Sequence, residues 1–497
     1  MTLADWLEPL PDAELMRATD AWAIGECGVP SLDLMERAGE GLAGLVRDLF
    51  PGGRVVVLAG RGNNGGDGLV AGRLLRAGGR EVDLLLADGE LSADAAANLA
   101  RLGVGTLPLA TPIPADAAVL IDALLGTGAS GEPRGDVADA IRAACDSGIP
   151  VISADIPSGV DASSGTVAAT AIRALATATF HAAKPGLCIE PGRSHAGTVR
   201  VIEIGIPDGA PGEASVGLIR DDVLDTLPRR GVASTKFTSG PVLVAGGSPG
   251  LTGAPCLAAM GAQRAGAGYV TACVPASLSM VFESRLLEVM TLALPDDGGS
   301  LTPACAAPLL AAARHGGALV VGPGLGRRDE ALAFVRELVA SASLPLVIDA
   351  DGLSAYAGEL AALRGAGAVL TPHEGELARL LGISSEEVAA ERLRCVREAA
   401  EAAGAVVVLK GDDTLVAAGG LVAVSPGASA GLATAGTGDV LAGVVGALLA
   451  AQVEPLRAAV AAVRLHALAG IAAAARRGRD GMIASDVIEE LAVVRTR

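Results

Sequence analysis

Cysteine is scarce in this sequence of 497 residues, and its seven cysteines include no CxxC pair. A disulfide framework normally uses an even number of cysteines, and a zinc site normally uses closely spaced pairs. The sequence therefore predicts neither a disulfide framework nor a zinc site. Free cysteines are typical of the reducing cytoplasm, which is the predicted location of the protein.

Long apolar runs are also missing. The most apolar stretch late in the chain, "VLAGVVGALLAAQV" at residues 440–453, is shorter than the roughly 20 residues that span a bilayer. The N-terminus, "MTLADWLEPLPDAEL", has early acidic residues and lacks the basic and apolar regions of a signal peptide. We therefore expect no membrane span and no secretion signal.

Basic residues are outnumbered, with 38 Lys and Arg against 56 Asp and Glu and a formal net charge of −18. This excess of negative charge argues against nucleic acid or an anionic membrane as the main partner. An anionic small molecule would need a local positive site, such as a lysine or a helix N-terminus. Only Lys184, Lys236 and Lys410 are lysines. Each either fills a role that needs a compact ammonium or has survived by chance.

The chain does contain a regular alternation of short apolar runs and helical stretches rich in Ala, Arg and Leu. This alternation is typical of parallel sheets in α/β layers, and the length indicates more than one domain. The apolar runs of the first half are "RVVVLAG", "EVDLLLA", "AVLIDALLG", "PVISADIPSG" and "VRVIEIGIP". Those of the second half are "PVLVAGG", "YVTACVP", "ALVVGPGLG", "PLVIDADGL", "AVLTPHEGE" and "AVVVLKG". A predicted hairpin then turns on Gly419 and Gly420.

Proline, glycine and charged residues replace the periodic pattern between residues 207 and 235. Such a composition is typical of the connection between two domains. We therefore expect one domain over residues 1–220 and a second domain over residues 221–497.

Polar residues and glycines follow nearly every predicted strand, where open α/β sheets bind their ligands. They are Asn63, Asn64, Asp67, Asp122, Asp155, Ser158 and Lys184 in the first half, and Gly324, Asp349, Asp351, His373, Glu374, Lys410 and Asp439 in the second. A single aspartate after a strand commonly caps the next helix. Four acids or amides in one half favour a ligand site over capping alone.

The first-half residues offer amide, carboxylate and hydroxyl oxygens with little net charge. Such hard donors suit a monovalent or weakly held cation better than zinc. The segment "LLGTGASGEPRG" at residues 124–135 is a glycine-rich loop whose N–H groups can cradle a phosphate. Asp155 and Lys184 are a candidate acid–base pair. The residues alone indicate a phosphate-bearing ligand with an ion, and they do not define the reaction.

Several segments of the first half resemble the N-terminal domain of the NAD(P)H-hydrate epimerases, over about residues 10–205. They are "LMERAG", "AGRGNNGGDGLVAGRLL", "LIDALLGTGASGEPRG", "SADIPSGVDASSG" and "FHAAKPG". The resemblance implies a Rossmann-like α/β/α domain that binds the hydrated nucleotide. It assigns this ligand to Asn63, Asn64, Gly65, Gly66, Asp67, Gly126, Thr127, Gly128, Ala129, Ser130, Gly131, Glu132 and Asp155. It assigns potassium to Asn64, Asp122 and Ser158.

The implied reaction concerns a hydroxyl group on C6 of the reduced nicotinamide ring, next to the ring nitrogen. An acid protonates the hydroxyl, and the nitrogen lone pair expels it to leave an iminium. Water then returns to the other face with the help of a base. One acid–base pair suffices for this sequence, and Asp155 with Lys184 is the predicted pair.

In the second half, "TAGTGDVLAG" at residues 434–443 places Gly436 and Gly438 before a strongly helical run. A helix N-terminus of this kind forms an anion hole, with Asp439 projecting into it. The segment resembles the GxGD loop of ribokinase-type kinases, whose aspartate removes a proton from the attacking hydroxyl. In that case "KGDDT" at residues 410–414 would hold the nucleotide. The alternative is a glycine-capped helix start.

Flanking motifs narrow this second resemblance to the ADP- or ATP-dependent NAD(P)H-hydrate dehydratases, which are ribokinase-like. The motifs, over about residues 235–490, are "GGSPGLTGAPCLAAMGAQRAGAGYVT", "VGPGLG", "DADGL", "TPHEGE", "LKGDDT" and "ATAGTGDVLAG". The resemblance assigns the hydrate to Ala254, Gly324, His373 and Asp439. It assigns the adenine nucleotide, with Mg²⁺, to Lys410, Gly411, Asp412, Asp413, Thr414 and Gly438. Two positions depart from the family pattern, because Leu251 replaces a tyrosine and "GASAG" at residues 427–431 replaces a Gly-Asn segment.

The resemblances together imply a bifunctional enzyme that epimerises R- and S-NAD(P)HX and dehydrates the S form. Asp439 would activate the C6 hydroxyl for phosphate transfer, and expulsion of phosphate would restore NAD(P)H. ADP is favoured over ATP because bacterial members of this two-domain type generally use it. One alternative is a ribokinase-like small-molecule kinase fused to a Rossmann-like domain, and another is a non-catalytic sensor of hydrated cofactor. The sequence leaves a homo-oligomer open.

Overall fold

The computed structural model describes residues 3–313 and 316–495, and the chain forms two compact units. Unit 1 consists mainly of Pro9–Gly217, and unit 2 combines Ala4–Glu8 with the chain from Leu218 onward. Residues 4–8 belong to unit 2 because a short strand, β1 (Leu7–Pro9), forms the edge of its sheet. A division of the sequence at a single point does not anticipate this exchange.

Unit 1 alternates strands and helices over its described residues. The strands are β2 (Arg54–Ala59), β3 (Val82–Leu86), β4 (Leu107–Pro108), β5 (Ala117–Ala123), β6 (Val151–Ala154), β7 (Ala176–Phe180) and β8 (Thr198–Ile202). The helices are α1 (Ala13–Gly25), α2 (Ser31–Leu49), α3 (Asn63–Ala77), α4 (Ala93–Arg101), α5 (Gly135–Ser147), α6 (Pro185–Cys188) and α7 (Arg193–Ala196).

The seven strands of this sheet are parallel and lie in the order β4-β3-β2-β5-β6-β7-β8. Strand β2 is buried on both faces, since Val55 and Val57 join a core that includes α2 and α3 while Val56 and Leu58 join a core that includes α5. The predicted Rossmann-like α/β/α fold is thus confirmed. The strand order reverses between β2 and β5, so the loops that follow them diverge and leave a crevice for a ligand.

Unit 2 has a larger main sheet and a small two-stranded sheet formed by β13 and β14. Besides β1, the strands of these two sheets are β9 (Val216–Ile219), β10 (Pro241–Ala245), β11 (Tyr269–Pro275), β12 (Met290–Leu294), β13 (Asp296–Asp297), β14 (Ser300–Leu301), β15 (Ala318–Val321), β16 (Leu346–Ile348), β17 (Ala368–Leu370), β18 (Val406–Leu409), β19 (Leu415–Ala418) and β20 (Leu421–Val424). The helices are α8 (Gly253–Arg264), α9 (Ser279–Arg285), α10 (Ala306–Ala312), α11 (Asp329–Ser341), α12 (Glu374–Leu381), α13 (Ser385–Ala390), α14 (Arg392–Ala403), α15 (Thr437–Ala450), α16 (Pro455–Arg477) and α17 (Ala484–Val494).

The eleven strands of the main sheet lie in the order β1-β9-β20-β19-β18-β17-β16-β15-β10-β11-β12. Strands β10 to β12 and β15 to β18 are parallel, and their order again reverses between the first and fourth of these parallel strands, β10 and β15. Strands β19 and β20 form the predicted hairpin, in which Ala418 pairs with Leu421 across Gly419 and Gly420. This parallel sheet with its antiparallel extension is the predicted second α/β domain.

Helix α16 is long and apolar enough to cross a membrane by length and composition, and it is the single such helix among residues 3–313 and 316–495. In the most apolar part of α16, 67% of the residues are buried inside the protein. The helix packs against α15 and α17. A buried core helix accounts for the same apolar composition, so the helix is weak support for a membrane span.

Candidate active sites

The first cleft of unit 1 lies beyond the carboxyl ends of β2, β5 and β6 and has a volume of about 600 Å³. Of the predicted site residues, those that line it are Asn63, Asn64, Asp67, Gly126, Thr127, Gly128, Ala129, Asp155 and Lys184. Helix α1 forms another wall of the cleft, with Met16, Asp20 and Ile24. The reversal of strand order therefore brings together most of the residues expected at this site.

Asp155 and Lys184 form a buried ion pair at the base of this cleft. The Lys184 ammonium is 1% exposed and donates to Asp155 Oδ1 at 2.6 Å, Thr179 Oγ1 at 2.9 Å and the Phe180 carbonyl at 2.9 Å. Asp155 Oδ2 accepts from the Thr127 N–H at 3.0 Å and from its hydroxyl at 2.5 Å. Burial opposes ionisation, but the Lys184 charge and these hydrogen bonds outweigh it and hold the Asp155 pKa below its ordinary value. Asp155 is therefore a carboxylate at neutral pH.

The residues expected to hold potassium meet where β2, β5 and β6 end. Asp122 is fully buried and accepts from the Ser158 hydroxyl at 2.6 Å, the Ser158 N–H at 2.9 Å and the Ser153 hydroxyl at 2.9 Å. Asn64 donates to the Leu125 carbonyl at 2.8 Å, whereas its buried Oδ1 has no hydrogen-bond donor among the residues that the structure describes. Leu125 connects the two residues, because its N–H donates to the Ser158 hydroxyl oxygen at 3.0 Å. Amide, hydroxyl and carboxylate oxygens together are a donor set that fits a monovalent cation.

Some residues of the two glycine-rich loops, which contain Gly65 and Gly131 respectively, do not line the first cleft. Gly65 and Gly66 lie below the surface, where a Cβ would come within 2.0 Å of the Gly60 carbonyl oxygen and 2.6 Å of Met35 Sδ. In the other loop, Ser130, Gly131 and Glu132 line a separate pocket of about 240 Å³. The Glu132 carboxylate accepts from the N–H groups of residues 169 and 170, at 3.0 and 3.1 Å. This side chain therefore stabilises the loop and does not face the first cleft.

Asp67 does not cap helix α3, although it lies near its start. The residue is 8% exposed, and burial together with the charges of Asp155 and Asp20 raises the pKa of its carboxyl well above the ordinary value. Asp20 was missed by the sequence analysis because it lies on a helix and not after a strand. Its position in the stripe Met16, Asp20, Ile24, at intervals of four residues, was the available signal.

The second cluster consists of Asp349, Glu376, Lys410 and Asp439 in unit 2. Lys410 donates to Asp349 Oδ1 at 3.0 Å, and its Nζ lies 3.7 Å from Glu376 Oε2. Asp349 is 1% exposed and also accepts from the Thr371 hydroxyl at 2.7 Å. These residues follow β16, β17 and β18, and Asp439 is in the first turn of α15. The predicted ammonium of Lys410 therefore lies among carboxylates.

Asp439 is the least compensated acid of this cluster. Burial and the charges of Asp349 and Glu376 raise its pKa to about 7, although Lys410 acts in the opposite direction. A Cβ at Gly438 would lie 3.3 Å from Lys410 Nζ, so the glycine permits the close approach of loop and ammonium. A carboxyl with this pKa can accept a proton near neutral pH.

His373 and Glu376 fix one another at the start of α12. His373 Nδ1 accepts from the N–H groups of Gly375 at 3.0 Å and Glu376 at 3.4 Å, and Glu376 accepts from the His373 N–H at 2.9 Å. Because Nδ1 is an acceptor, the ring proton of the neutral imidazole is on Nε2. His373 Nε2 lies 3.4 Å from Glu376 Oε1, so the two side chains also face one another at this exposed helix start. Glu376 was not predicted, and the spacing of three residues from His373 was its signal.

The remaining predicted hydrate contacts lie where the order of the second sheet reverses. Gly324 has φ +62°, and a Cβ there would lie 2.2 Å from the Leu251 carbonyl oxygen and 3.3 Å from the Ala254 Cβ. Ser248 donates to the Gly324 carbonyl at 2.9 Å. The loops after β10 and β15 therefore touch. The departure at Leu251 leaves a side chain that is 46% exposed.

The residues of the predicted nucleotide segment, 410–414, have two different environments. Lys410 belongs to the second cluster, whereas Asp413 is 1% exposed and paired with Arg392, whose Nη2 lies 2.9 Å from Asp413 Oδ1. Thr414 bonds back to the Gly411 carbonyl at 2.6 Å. The Asp413 side chain thus holds the loop in place, and the exposed surface comes from Gly411 and Asp412.

Two α/β units, each with a lysine paired to an aspartate and several carboxyls beyond its strands, define an α/β enzyme with two separate sites. A family model described as NAD(P)H-hydrate dehydratase matches residues 242–492, and one described as YjeF-related protein N-terminus matches residues 31–186. The bifunctional NAD(P)H-hydrate repair enzyme Nnr of Salinibacter ruber is 39% identical over 97% of this chain and 95% of its own length. That of Moorella thermoacetica is 37% identical over 98% and 96%.

The chain therefore belongs to the family of bifunctional NAD(P)H-hydrate repair enzymes. Among solved structures, the ADP/ATP-dependent NAD(P)H-hydrate dehydratase from Bacillus subtilis, co-crystallised with ATP/Mg²⁺, is 27% identical. It covers 55% of this chain and 95% of its own chain with a TM-score of 0.47.

Proposed function

We propose that the first cleft interconverts the R and S epimers of NAD(P)HX. The observation that supports this most directly is the Asp155–Lys184 ion pair, buried at the base of a cleft between two glycine-rich loops. Asp155 exchanges protons with the C6 hydroxyl, and Lys184 keeps Asp155 ionised and oriented. Asn63, Asn64, Asp67 and the loop Gly126 to Ala129, which line the cleft, contact the nucleotide, and the buried Gly65 and Gly66 allow α3 to pack closely beneath it.

Potassium is the proposed ion of this site, held by Asn64, Asp122 and Ser158. The buried, unpartnered Asn64 Oδ1 supports this assignment. A bound cation would supply positive charge for the nucleotide phosphates beside loops that have no lysine. Asp122 orders the site through its bonds to Ser158 and Ser153.

For the second unit, we propose nucleotide-dependent dehydration of S-NAD(P)HX with Asp439 as the general base. Burial and neighbouring carboxylates place its pKa at about 7, which suits removal of a proton from the C6 hydroxyl at neutral pH. The hydroxyl oxygen then takes a phosphoryl group from the nucleotide, and the ring nitrogen expels phosphate to restore the reduced nicotinamide. His373, Gly324 and Ala254 would position the hydrate.

The co-substrate of this step is proposed to be ADP, or else ATP, bound with Mg²⁺. The N-terminus of α15 offers free N–H groups to phosphate, and Lys410 lies beside Gly438 in that turn. The part of the chain that the structure describes contains no cluster of three or more Asp, Glu, His or Cys side chains that could hold a metal ion by itself. This composition fits Mg²⁺, which is usually bound through one or two carboxylates and the phosphates of its nucleotide. We place the enzyme in the cytoplasm, acting on small molecules.

One assay tests this function. Purified protein is mixed with R- and S-NADHX, ADP or ATP, Mg²⁺ and K⁺, while the absorbance of NADH and the phosphate products are measured. We expect NADH to form together with one nucleotide cleaved per hydrate. Accumulation of a phosphorylated hydrate without NADH would establish the kinase alternative instead. Binding of hydrate with no turnover would establish the sensor alternative.

A further inference from the structure

Asp20 is an acid of the first cleft that comes from a different wall than Asp155. It lies on α1 between Met16 and Ile24, which line the same cleft one turn before and one turn after it. Asp155 and Lys184 come from the strand ends. Over residues 3–313 and 316–495, the half-buried Asp20 side chain has no hydrogen bond or ion pair. A carboxyl flanked by apolar side chains and without a structural partner remains available to a ligand.

The pKa values of Asp20 and Asp155 are shifted in opposite directions. Burial raises the pKa of Asp20 to about 6, the charge of Asp155 adds to this, and Lys184 opposes it. The pKa of Asp155 lies below its ordinary value. The other charged side chains that line the cleft are Arg17, Arg61, Asp67, Asp94 and Lys184. Two carboxyls whose environments push their pKa values apart are a common arrangement for an acid and a base.

Lys184 is poorly placed to be the second proton carrier. Its side chain is 1% exposed, and its ammonium donates hydrogen bonds to Asp155, Thr179 and the Phe180 carbonyl. Epimerisation requires the hydroxyl to leave one face of the ring and water to enter the other. A single carboxyl can serve only the face that it touches.

We propose that Asp20 is a second catalytic acid–base group of the first cleft, serving the face of the nicotinamide ring opposite to the face served by Asp155. This inference rests on the proposed epimerisation of NAD(P)HX by unit 1.

The step balances without an oxidant or reductant. The Asp20 carboxyl gives its proton to the C6 hydroxyl, the C–O bond breaks with its electron pair on the departing water, and the ring nitrogen lone pair forms the iminium. A water molecule then bonds to C6 from the other face, the iminium electrons return to nitrogen, and the water proton passes to the Asp155 carboxylate. The reverse direction begins with protonated Asp155 and ends on Asp20.

The test measures two rates for Asp20→Asn in the full-length enzyme. The first is epimerisation of NADHX, and the second is incorporation of oxygen from oxygen-18-labelled water into the C6 hydroxyl of each separate epimer. Glu14→Gln, an exposed acid on the same helix, is the matched control. Nucleotide-dependent dehydration of pure S-NADHX reports that unit 2 of each variant is folded, and the circular-dichroism melting curve of the full chain reports the same for unit 1.

We expect Asp20→Asn to slow epimerisation by about 10²–10⁴-fold, the usual contribution of one acid–base group. One epimer still exchanges its oxygen, because Asp155 can expel and return water on its own face. Asp155→Asn should show the same pattern with the other epimer. Unchanged epimerisation by Asp20→Asn would overturn the proposal, and so would loss of exchange from both epimers. Absence of epimerisation by the wild-type enzyme would instead refute the function proposed for unit 1.

Discussion

The two sites of this enzyme pair a lysine with an aspartate in the same way, yet they leave their acids in opposite states. In unit 1, Lys184 is bonded to Asp155 itself, and the pKa of Asp155 is held low. In unit 2, Lys410 donates a hydrogen bond to Asp349 instead. The pKa of Asp439 is raised to about 7 by burial and by the charges of Asp349 and Glu376. The lysine therefore stabilises one acid as an anion and leaves the other able to take up a proton.

The strand orders of the two parallel sheets are equivalent, so topology alone does not explain this difference. The first cleft uses the loops at the reversal of strand order, after β2 and β5. The second cluster uses the ends of β16 to β18 and the start of α15. The two units thus place their polar residues at the same edge of equivalent sheets. The residues around each lysine determine which carboxyl has a lowered pKa and which has a raised pKa.

The largest expected effect is the selective loss of dehydration, which we assign to unit 2, without loss of epimerisation, which we assign to unit 1. Asp439→Asn removes the proposed base of the second site, so we expect dehydration to fall by about 10²–10⁴-fold while epimerisation is unchanged. The measurements are NADH recovery from S-NADHX and the rate of R–S interconversion. Asp329→Asn, an exposed aspartate in the first turn of α11, is the control. Loss of both activities in a folded variant would contradict independent sites.

A smaller effect concerns the potassium ion proposed for the first site. Asn64→Ala removes the buried, unpartnered Oδ1, and we expect the K⁺ concentration for half-maximal epimerisation to rise about tenfold or more, as for other losses at metal sites. The measurement is a K⁺ titration of epimerisation. Dehydration of S-NADHX by the same variant reports whether the rest of the protein is intact. An unchanged K⁺ response would mean that Asn64 has a structural role only.

The smallest effect concerns the electrostatics of the second cluster. Asp439 must be ionised to act as a base, so kcat/KM for dehydration should decrease as the pH falls through about 7. Glu376→Gln removes a negative charge that raises this pKa, and we expect the midpoint to move to lower pH by about half to one unit. The measurement is the pH profile of kcat/KM, with the exposed Glu386→Gln as control. A midpoint that stays in place would exclude Glu376 as a cause of the raised pKa.

The strongly apolar strands were predictable from the sequence because their residues are buried on both faces. Strand β7 was missed, since "ATATF" is Ala- and Thr-rich, and so was the edge strand β12. The pairing of β1 with β9 joins residues about 200 positions apart. No local pattern encodes such a pairing, because it depends on where the rest of unit 2 places its sheet edge.

The grouping of the candidate site residues could be predicted for a different reason, which is that residues following parallel strands gather at one edge of the sheet. The partners of each side chain could not be predicted in this way. Asp413 is held by Arg392 of α14, and Glu132 is held by a backbone segment almost 40 residues later. Asp20 is on a helix, so the strand-end rule passed over it. Motifs thus predict which segments meet, and packing decides which atoms face the ligand.

The central claim is that the two sites act in succession on a mixture of epimers, and one progress curve tests it directly. Asp155→Asn is given R- and S-NADHX with nucleotide, Mg²⁺ and K⁺, and NADH is followed with time. We predict a fast phase for the S epimer and then a slow phase at the uncatalysed rate of epimerisation, whereas the wild-type enzyme consumes the whole mixture in one phase. A single fast phase from the variant, accounting for all the substrate, would contradict the account.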